Sequence, residues 1–500
     1  MDLMKLQNGS DIRGVALEGV EGENVNLTPQ IAKQIGCAYV SWLAKKLDVD
    51  APALRIGVGR DSRLSGPDLA DALMEGMLSA GAQVTDCGMA TTPAMFMSIV
   101  FPETNFNGSA MITASHLPFN RNGIKFFDDD GGLEHEDITE ILNLAGFLNP
   151  AHVNFNVEKC DLITLYADYL RGKIADALKP LGKGEKPLEG LHIVVDSGNG
   201  ASGFFVDKIL KPLGANTEGS QFLEPDGNFP NHIPNPENKQ AMEAIREAVL
   251  KNKADLGLIF DTDVDRMSAV LSDGSEVNRD SIIAMIAAIL APEYPGSTII
   301  TDSVTSDRLT YFLQDVLGLK HLCYMRGYKN VINKQKELNA AGIVAPLAME
   351  TSGHGALKDN FYLDDGAFLA VKLVIALAQA AANGKKLDSL IEKLPPLVEE
   401  GEYRLKINDE DFKNYGKRVL AEFKMRALDE DYEMPESFEG VRITFNTEEI
   451  KGWLLLRMSL HDPVMPLNIE AGRKGDLPKL VEIARKLTAG FDKLDTSCLK

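Results

Sequence analysis

The segment 261–266 reads Asp-Thr-Asp-Val-Asp-Arg. Carboxylates two residues apart share one side of an extended backbone. Held close, Asp261, Asp263 and Asp265 repel one another unless a cation sits among them, and hard oxygen ligands suit Mg2+. An EF-hand does not fit, because Arg266 stands where that loop needs glycine and Ser272 where it needs glutamate. The apolar run ADLGLIF just before puts the triplet at a buried strand end rather than in a solvated acidic loop. A second polar tip closes the run MITASH, with Ser115 and His116 at its end and Lys125 ten residues after the serine. Taken alone, Ser115 reads as a turn or helix cap and His116 as a turn residue. A third tip, ETSGH, is expected to be a tight glycine-permitted loop exposing Glu350, Ser352 and His354. A serine, a metal-binding triplet, a lysine and a histidine make joint sense for phosphoryl transfer. Metal and cationic side chains spread the charge of phosphate, and a serine can carry it covalently. Arg13, Arg60 and Arg266, each near aspartates, are candidates for forked phosphate binding.

The elements that must position these tips form a repeat. Three strand-like runs, LRIGVGRDSR, LHIVVDSGNG and STIITDSVTS, each end in a loop that opens with aspartate. A helix-like segment follows each, then an extended segment (GAQVTDCG, LGANTEG, LGLKHLCYM), then the run that ends in a polar tip. After each tip a hairpin is expected, turning at Asp130-Gly131, Asp273-Gly274 and Asp365-Gly366. Alternating strand and helix signals predict α/β layers with mainly parallel sheets, whose ligands bind at the carboxyl ends of the strands. From about residue 401 the pattern changes to a smaller α+β domain, with KLPPLVEEGEY as the expected linker.

Composition bounds the rest. The chain has 500 residues, enough for several domains, and ordinary globular content at 44% hydrophobic and 25% charged. Its net charge of −21 disfavours nucleic acid and anionic lipid as partners, so basic residues must be gathered locally if the substrate is anionic. No long apolar run predicts a membrane span, and the start MDLMKLQNGSDIRG does not read as a signal peptide. Five cysteines (Cys37, Cys87, Cys160, Cys323, Cys498) without CxxC spacing argue against a disulfide framework or a Cys-type zinc site.

Over essentially its whole length and in the right order, the chain resembles the α-D-phosphohexomutases, the phosphoglucomutase/phosphomannomutase family. TASHLPFNRNGIKFF resembles the phosphoserine loop, DTDVDR the metal loop and ETSGH the sugar-binding loop. The resemblance implies three similar α/β domains with mainly parallel sheets plus a smaller C-terminal α+β domain, around a central cleft. The expected bounds are 1–155, 156–294, 295–398 and 399–500. It implies Ser115 as the phosphoserine, completing an Mg2+ site with Asp261, Asp263 and Asp265. Lys125, His354 and Arg13 match catalytic positions. Glu350 and Ser352 match the pair that binds sugar hydroxyls, Arg266 follows the metal triplet as in the family, and Gly327 and Tyr328 lie in the loop MRGYKN that contacts the sugar. The fourth-domain phosphate loop, RMSLHDP, keeps Arg457 and Ser459 but carries His461 where threonine is usual. The sugar loop also departs, with Met349 ahead of Glu350. The implied reaction exchanges phosphate between the 1- and 6-hydroxyls of glucose or mannose through a 1,6-bisphosphate, with glucose 1,6-bisphosphate as activator. A cytoplasmic monomer or dimer is expected. Two rival readings stand beside it: a haloacid-dehalogenase-type phosphatase using Asp261, and a non-catalytic sugar-phosphate-binding homologue.

Overall fold

The computed structural model describes residues 2–459 and 462–499. Two compact units divide the chain: residues 1–278 with 352–389, and residues 279–351 with 390–500. In the first unit the strand Arg55–Arg60 runs parallel to Gln83–Met89 on one side and to Gly108–Ile112 on the other. Gly108–Ile112 then pairs antiparallel with Arg121–Asp128, which pairs antiparallel with Asp11–Val15. The result is a sheet with a parallel centre, as expected of α/β layers, and an antiparallel edge. Helices Pro29–Leu47 and Gly66–Ser79 pack together because two glycines let their backbones touch. A Cβ on Gly36 would lie 2.2 Å from the Leu73 carbonyl oxygen, and one on Gly76 would lie 2.0 Å from that of Lys33. The core beneath includes Ile12, Ile35, Tyr39, Leu73, Ile112 and Phe126, all buried. Tyr39 stacks on Phe126 and donates its hydroxyl to the Phe127 carbonyl at 2.8 Å, so its one polar atom is satisfied.

The second repeat, also in this unit, pairs Ile193–Asp196 parallel with Leu256–Phe260, and the latter antiparallel with Met267–Leu271. The expected extended segment LGANTEG does not become a strand. It makes a single bridge at Asn216, with another just beyond it at Gln221, because Gly214 and Gly219 both take positive φ and break the extended run. The Asp273-Gly274 turn joins Met267–Leu271 to Glu276–Val277 as expected, with Gly274 at φ +85°. A tight turn likewise joins Arg121–Asp128 to Gly131–Gly132. The third expected turn is a correction. The hairpin of Gly355–Leu357 with Leu363–Asp364 turns through residues 358–362, and Asp365 is the N-cap of helix Gly366–Ala382. Asp-Gly serves a helix start as well as a hairpin, and here Asp365 accepts from Phe368 N at 2.9 Å and from Tyr166 Oη at 2.6 Å.

In the second unit Thr298–Thr301 lies parallel to both Lys320–Cys323 and Leu347–Met349. The C-terminal region is a β-rich antiparallel sheet of Val441–Asn446, Lys451–Leu456, Val464–Ala471, Glu399–Ile407 and Leu494–Asp495, with helices Phe412–Asp429 and Leu477–Leu487. Half of the expected linker is therefore strand, since Glu399–Ile407 pairs with Val464–Ala471 along its length. Among the described residues no helix is long and apolar enough to cross a membrane.

The repeat carries a recurring clasp. Asp61, which closes the first strand of the first repeat, accepts the Thr113 hydroxyl at 2.7 Å, and Thr113 lies two residues before Ser115. Asp302 holds the same place in the third repeat and accepts the Thr351 hydroxyl at 2.8 Å, next to Glu350. In the second repeat Asp196 is engaged by Gln221 and His232 instead, and the buried hydroxyl of Thr262 has no hydrogen-bond partner.

Candidate active site

Two backbone outliers build the centre of the first unit. Ser115, three residues past the end of strand Gly108–Ile112, sits at φ +50°, and Val264 sits at φ +68°. Positive φ is uncommon for a residue with a Cβ and a true outlier for a β-branched one, so the fold must over-determine both turns. The Val264 turn also corrects the expected extended triplet. Residues 262–265 form a turn and bend, and it is this curl rather than strand alternation that gathers Asp261, Asp263 and Asp265. One oxygen from each lies within 4.8 Å of the others, and all three residues are buried.

Ser115 Oγ donates to Asp261 Oδ2 at 2.8 Å and accepts from Arg266 Nη2 at 2.9 Å. Arg266 closes the ring, with Nε 3.1 Å from Asp261 Oδ2 and its backbone N–H 3.2 Å from Asp261 Oδ1. Lys125, from strand Arg121–Asp128, bridges Asp263 and Asp265, and Thr92 donates to Asp263. Arg13, from strand Asp11–Val15, donates to the Thr113 carbonyl at 2.7 Å and pairs with Asp11. His354 pairs with Asp364 and lies 3.9 Å from Asp265 Oδ1. A backbone bridge between Arg266 and His354 ties the metal loop to the end of the ETSGH loop.

The charges are strongly coupled. Burial, with Asp265 and Asp263 adjacent, pushes the Asp261 carboxyl well above the usual carboxylate range. Burial also opposes ionisation of Asp263 and Asp265, but Lys125 together with Thr92 and Arg13 at Asp263, and with His354 and Arg266 at Asp265, holds both low. Burial works against the Lys125 ammonium, and the same two carboxylates reverse that and raise it. Burial likewise opposes a charged His354, yet Asp364 and Asp265 push it up to about 9. His116 is the opposite case: burial and the nearby Arg266 and Arg13 push it down to about 2, leaving a neutral ring that accepts from Arg266.

A divalent cation fits these residues. Asp263 Oδ1 and Asp265 Oδ1 are buried without a hydrogen bond, which is costly for a carboxylate oxygen unless an ion takes the lone pair. An all-oxygen donor set of three carboxylates suits Mg2+.

The second unit holds the other expected residues. Glu350, at the end of Leu347–Met349, is only 3% exposed, against the expectation of an exposed loop. It accepts from the Gly327 N–H at 2.6 Å, and Gly327, at φ +116°, starts the helix Tyr328–Ala340. Ser352, in the first unit, is likewise buried. Arg457 Nη1 reaches Glu439 Oε1 at 3.3 Å, while Glu439 Oε2 accepts from Arg326 N at 2.9 Å and Ser303 Oγ at 2.7 Å. Glu439 therefore links the RMS and MRG loops, a role carrying no motif signal. Ser459 Oγ accepts from Asp462 N at 3.2 Å. His461, expected as a phosphate ligand, lies outside the described residues. Arg60 lies along Gly66 and near Asp71, and it is Arg63 whose guanidinium reaches the Ser115 carbonyl.

Comparison with known proteins gives a consistent picture. Sequence models of phosphoglucomutase/phosphomannomutase alpha/beta/alpha domains I, II and III match residues 4–145, 166–274 and 278–398. A phosphoglucomutase/phosphomannomutase of Thermococcus kodakarensis is 30% identical over 499 residues, covering 97% of this chain and 98% of the relative. A phosphomannomutase/phosphoglucomutase of Pseudomonas putida is 29% identical over 459 residues, covering 91% of this chain and 92% of the relative. The crystal structure of a phosphoglucomutase/phosphomannomutase family protein from Burkholderia thailandensis superposes with a TM-score of 0.77 at 26% identity, covering 96% of this chain and 97% of that one.

Proposed function

The chain belongs to the phosphoglucomutase/phosphomannomutase family and is a phosphohexomutase, and from that premise we propose that it exchanges phosphate between O1 and O6 of glucose or mannose through phosphorylated Ser115. The observation that carries the proposal is the position of Ser115 Oγ, between Asp261 and Arg266 and beside a buried carboxylate triplet. In the forward half, the P–O bond to Ser115 breaks as a bond forms to the free hydroxyl of a hexose monophosphate. That hydroxyl gives up its proton and Ser115 Oγ takes one. The resulting 1,6-bisphosphate turns over, and the other phosphate returns to Ser115. Mg2+ held by Asp261, Asp263, Asp265 and the Ser115 phosphate would neutralise charge on the transferring group.

The remaining roles belong to the chain's own side chains. Lys125 and His354 are both held as cations by carboxylates, so each is set to donate a hydrogen bond or a proton to an oxygen gaining charge. Arg266 steers the serine oxygen through Nη2. Arg13 sits on the Thr113 carbonyl and adds positive charge near the triplet. We assign sugar hydroxyls to Glu350 and Ser352, sugar contacts to Gly327 and Tyr328, and the non-transferring phosphate to Arg457, Ser459 and His461. Glucose 1,6-bisphosphate is the proposed activator, because it can charge Ser115 directly.

Intact mass and peptide mapping after incubation with glucose 1,6-bisphosphate test the assignment. Phosphate on Ser115, and its loss in Ser115→Ala with mutase activity below a few per cent of wild type, is the expected result. Phosphate on Asp261 would favour a nucleophilic aspartate instead, and no covalent phosphate would remove the covalent step.

A further inference from the structure

We propose that Arg63 is a positioning residue that holds the serine-bearing loop in its reactive conformation, a role that rests on the phosphoserine reading of Ser115. The residue is 1% exposed, and its guanidinium is spent almost wholly on backbone oxygens of one loop. Nη1 donates to the carbonyls of Pro118 at 2.8 Å and Arg121 at 2.9 Å. Nη2 donates to the carbonyls of Ser115 itself and of Leu117, the latter at 2.6 Å. Nε faces Asp61 Oδ2 at 3.4 Å, and Asp61 Oδ1 accepts the Arg63 backbone N–H at 2.9 Å. The ring of Phe229 covers the guanidinium at 5.2 Å.

Among the described residues no other side chain reaches so many of these oxygens. The loop leaves strand Gly108–Ile112 and returns in Arg121–Asp128, so the carbonyls of Ser115, Leu117 and Pro118 lie outside the strands. Ser115 pays for its positive φ in local strain, and a planar fork with fixed donor directions is the side chain that can pin four carbonyls against it. Asp61 connects the two halves of the arrangement, since it faces Arg63 and accepts from Thr113, whose oxygen in turn accepts the Ser115 N–H at 2.9 Å. Arg63 touches neither Oγ of Ser115 nor the carboxylate triplet in any hydrogen bond, so it acts through the backbone. A lysine keeps the charge but has no fork and cannot reach four divergent acceptors.

Two measurements decide the matter. In wild-type protein without Mg2+ or phosphate, amides of residues 113–122 are expected to exchange with deuterium as slowly as those of strand Gly108–Ile112. Rapid exchange there would overturn the proposal with no variant needed. In Arg63→Lys, exchange should accelerate in 113–122 alone, kcat should fall by about 100-fold, and KM for the hexose phosphate should stay within about twofold, as for a misplaced reacting group. Wild-type exchange and kcat in a folded Arg63→Lys protein would also overturn it. If the variant does not fold, the wild-type exchange result stands as the test. The exchange readout does not depend on phosphorylation, so failure of the phosphoserine reading and failure of the clamp are separately visible.

Discussion

Asp263 is the residue on which the metal centre and the ion-pair network compete. Its Oδ2 takes Lys125 and Thr92 while its Oδ1 is left buried and bare. Replacing it with asparagine keeps the shape but gives a neutral, weaker ligand. Asp263→Asn should lower Mg2+ affinity by about tenfold or more. Titration calorimetry, together with the rise in melting temperature on adding Mg2+, reads this directly, and an unchanged affinity would remove Asp263 from the metal site. At this scale the sequence was informative about identity and poor on geometry. The triplet announced itself by charge and spacing, yet its convergence depends on Val264 at positive φ, a conformation that valine gives no reason to expect. Arg63 was invisible for a different reason. Its partners are main-chain oxygens, which have no sequence signature and come together only in the fold.

The loop after Ile193–Asp196 shows how an element can depend on one proton. His232 Nε2 lies 3.1 Å from both oxygens of Asp196, and its Nδ1 lies 3.0 Å from the Ile233 carbonyl. Both nitrogens face acceptors, so the charged ring is favoured. Burial opposes that charge, but the hydrogen bond and charge of Asp196 win and the ring is raised above its ordinary value. A raised histidine gives its full stabilisation below the unfolded value of about 6.5, and loses it as pH climbs through the folded one. The melting temperature should therefore fall between pH 6 and 9 more steeply in wild type than in His232→Asn. Equal slopes would show that the ring is neutral throughout. Other elements explain the uneven legibility of the fold. Continuous Ile/Val-rich runs marked the first strand of each repeat, because those strands are buried on both faces. Asp365-Gly366 was misread because the same dipeptide chemistry satisfies a hairpin and a helix N-terminus, and only Tyr166 and Phe368 decide between them.

Across the whole molecule the excess of acid sets the behaviour. With 73 acidic against 52 basic residues, self-repulsion works against the folded state, while many of the surface ion pairs join residues three or four apart and contribute little each. Raising NaCl from about 0.02 to 0.3 M shortens the Debye length to below about 10 Å and should raise the melting temperature by a few degrees. Differential scanning fluorimetry checks this, and a fall would mean that attractive pairs outweigh the net repulsion. Composition alone carried this expectation, since net charge needs no fold to be counted.

The Asp–Thr clasps of the first and third repeats have a consequence for how such a chain can evolve. The clasp grips a threonine, and the side chain that differs between repeats stands one or two residues away. Chemistry and scaffold are thereby encoded by different codons. The first tip can carry serine and the third glutamate while each keeps the same threonine hold on the strand beside it. In the second repeat the strand-end aspartate is gripped by another pair. Asp196 answers to His232, Thr262 is left idle, and the tip has become a cluster of three acids. Exchange of tip residues among the repeats is thus the mutational route by which this architecture can acquire a new substrate while inheriting an old frame.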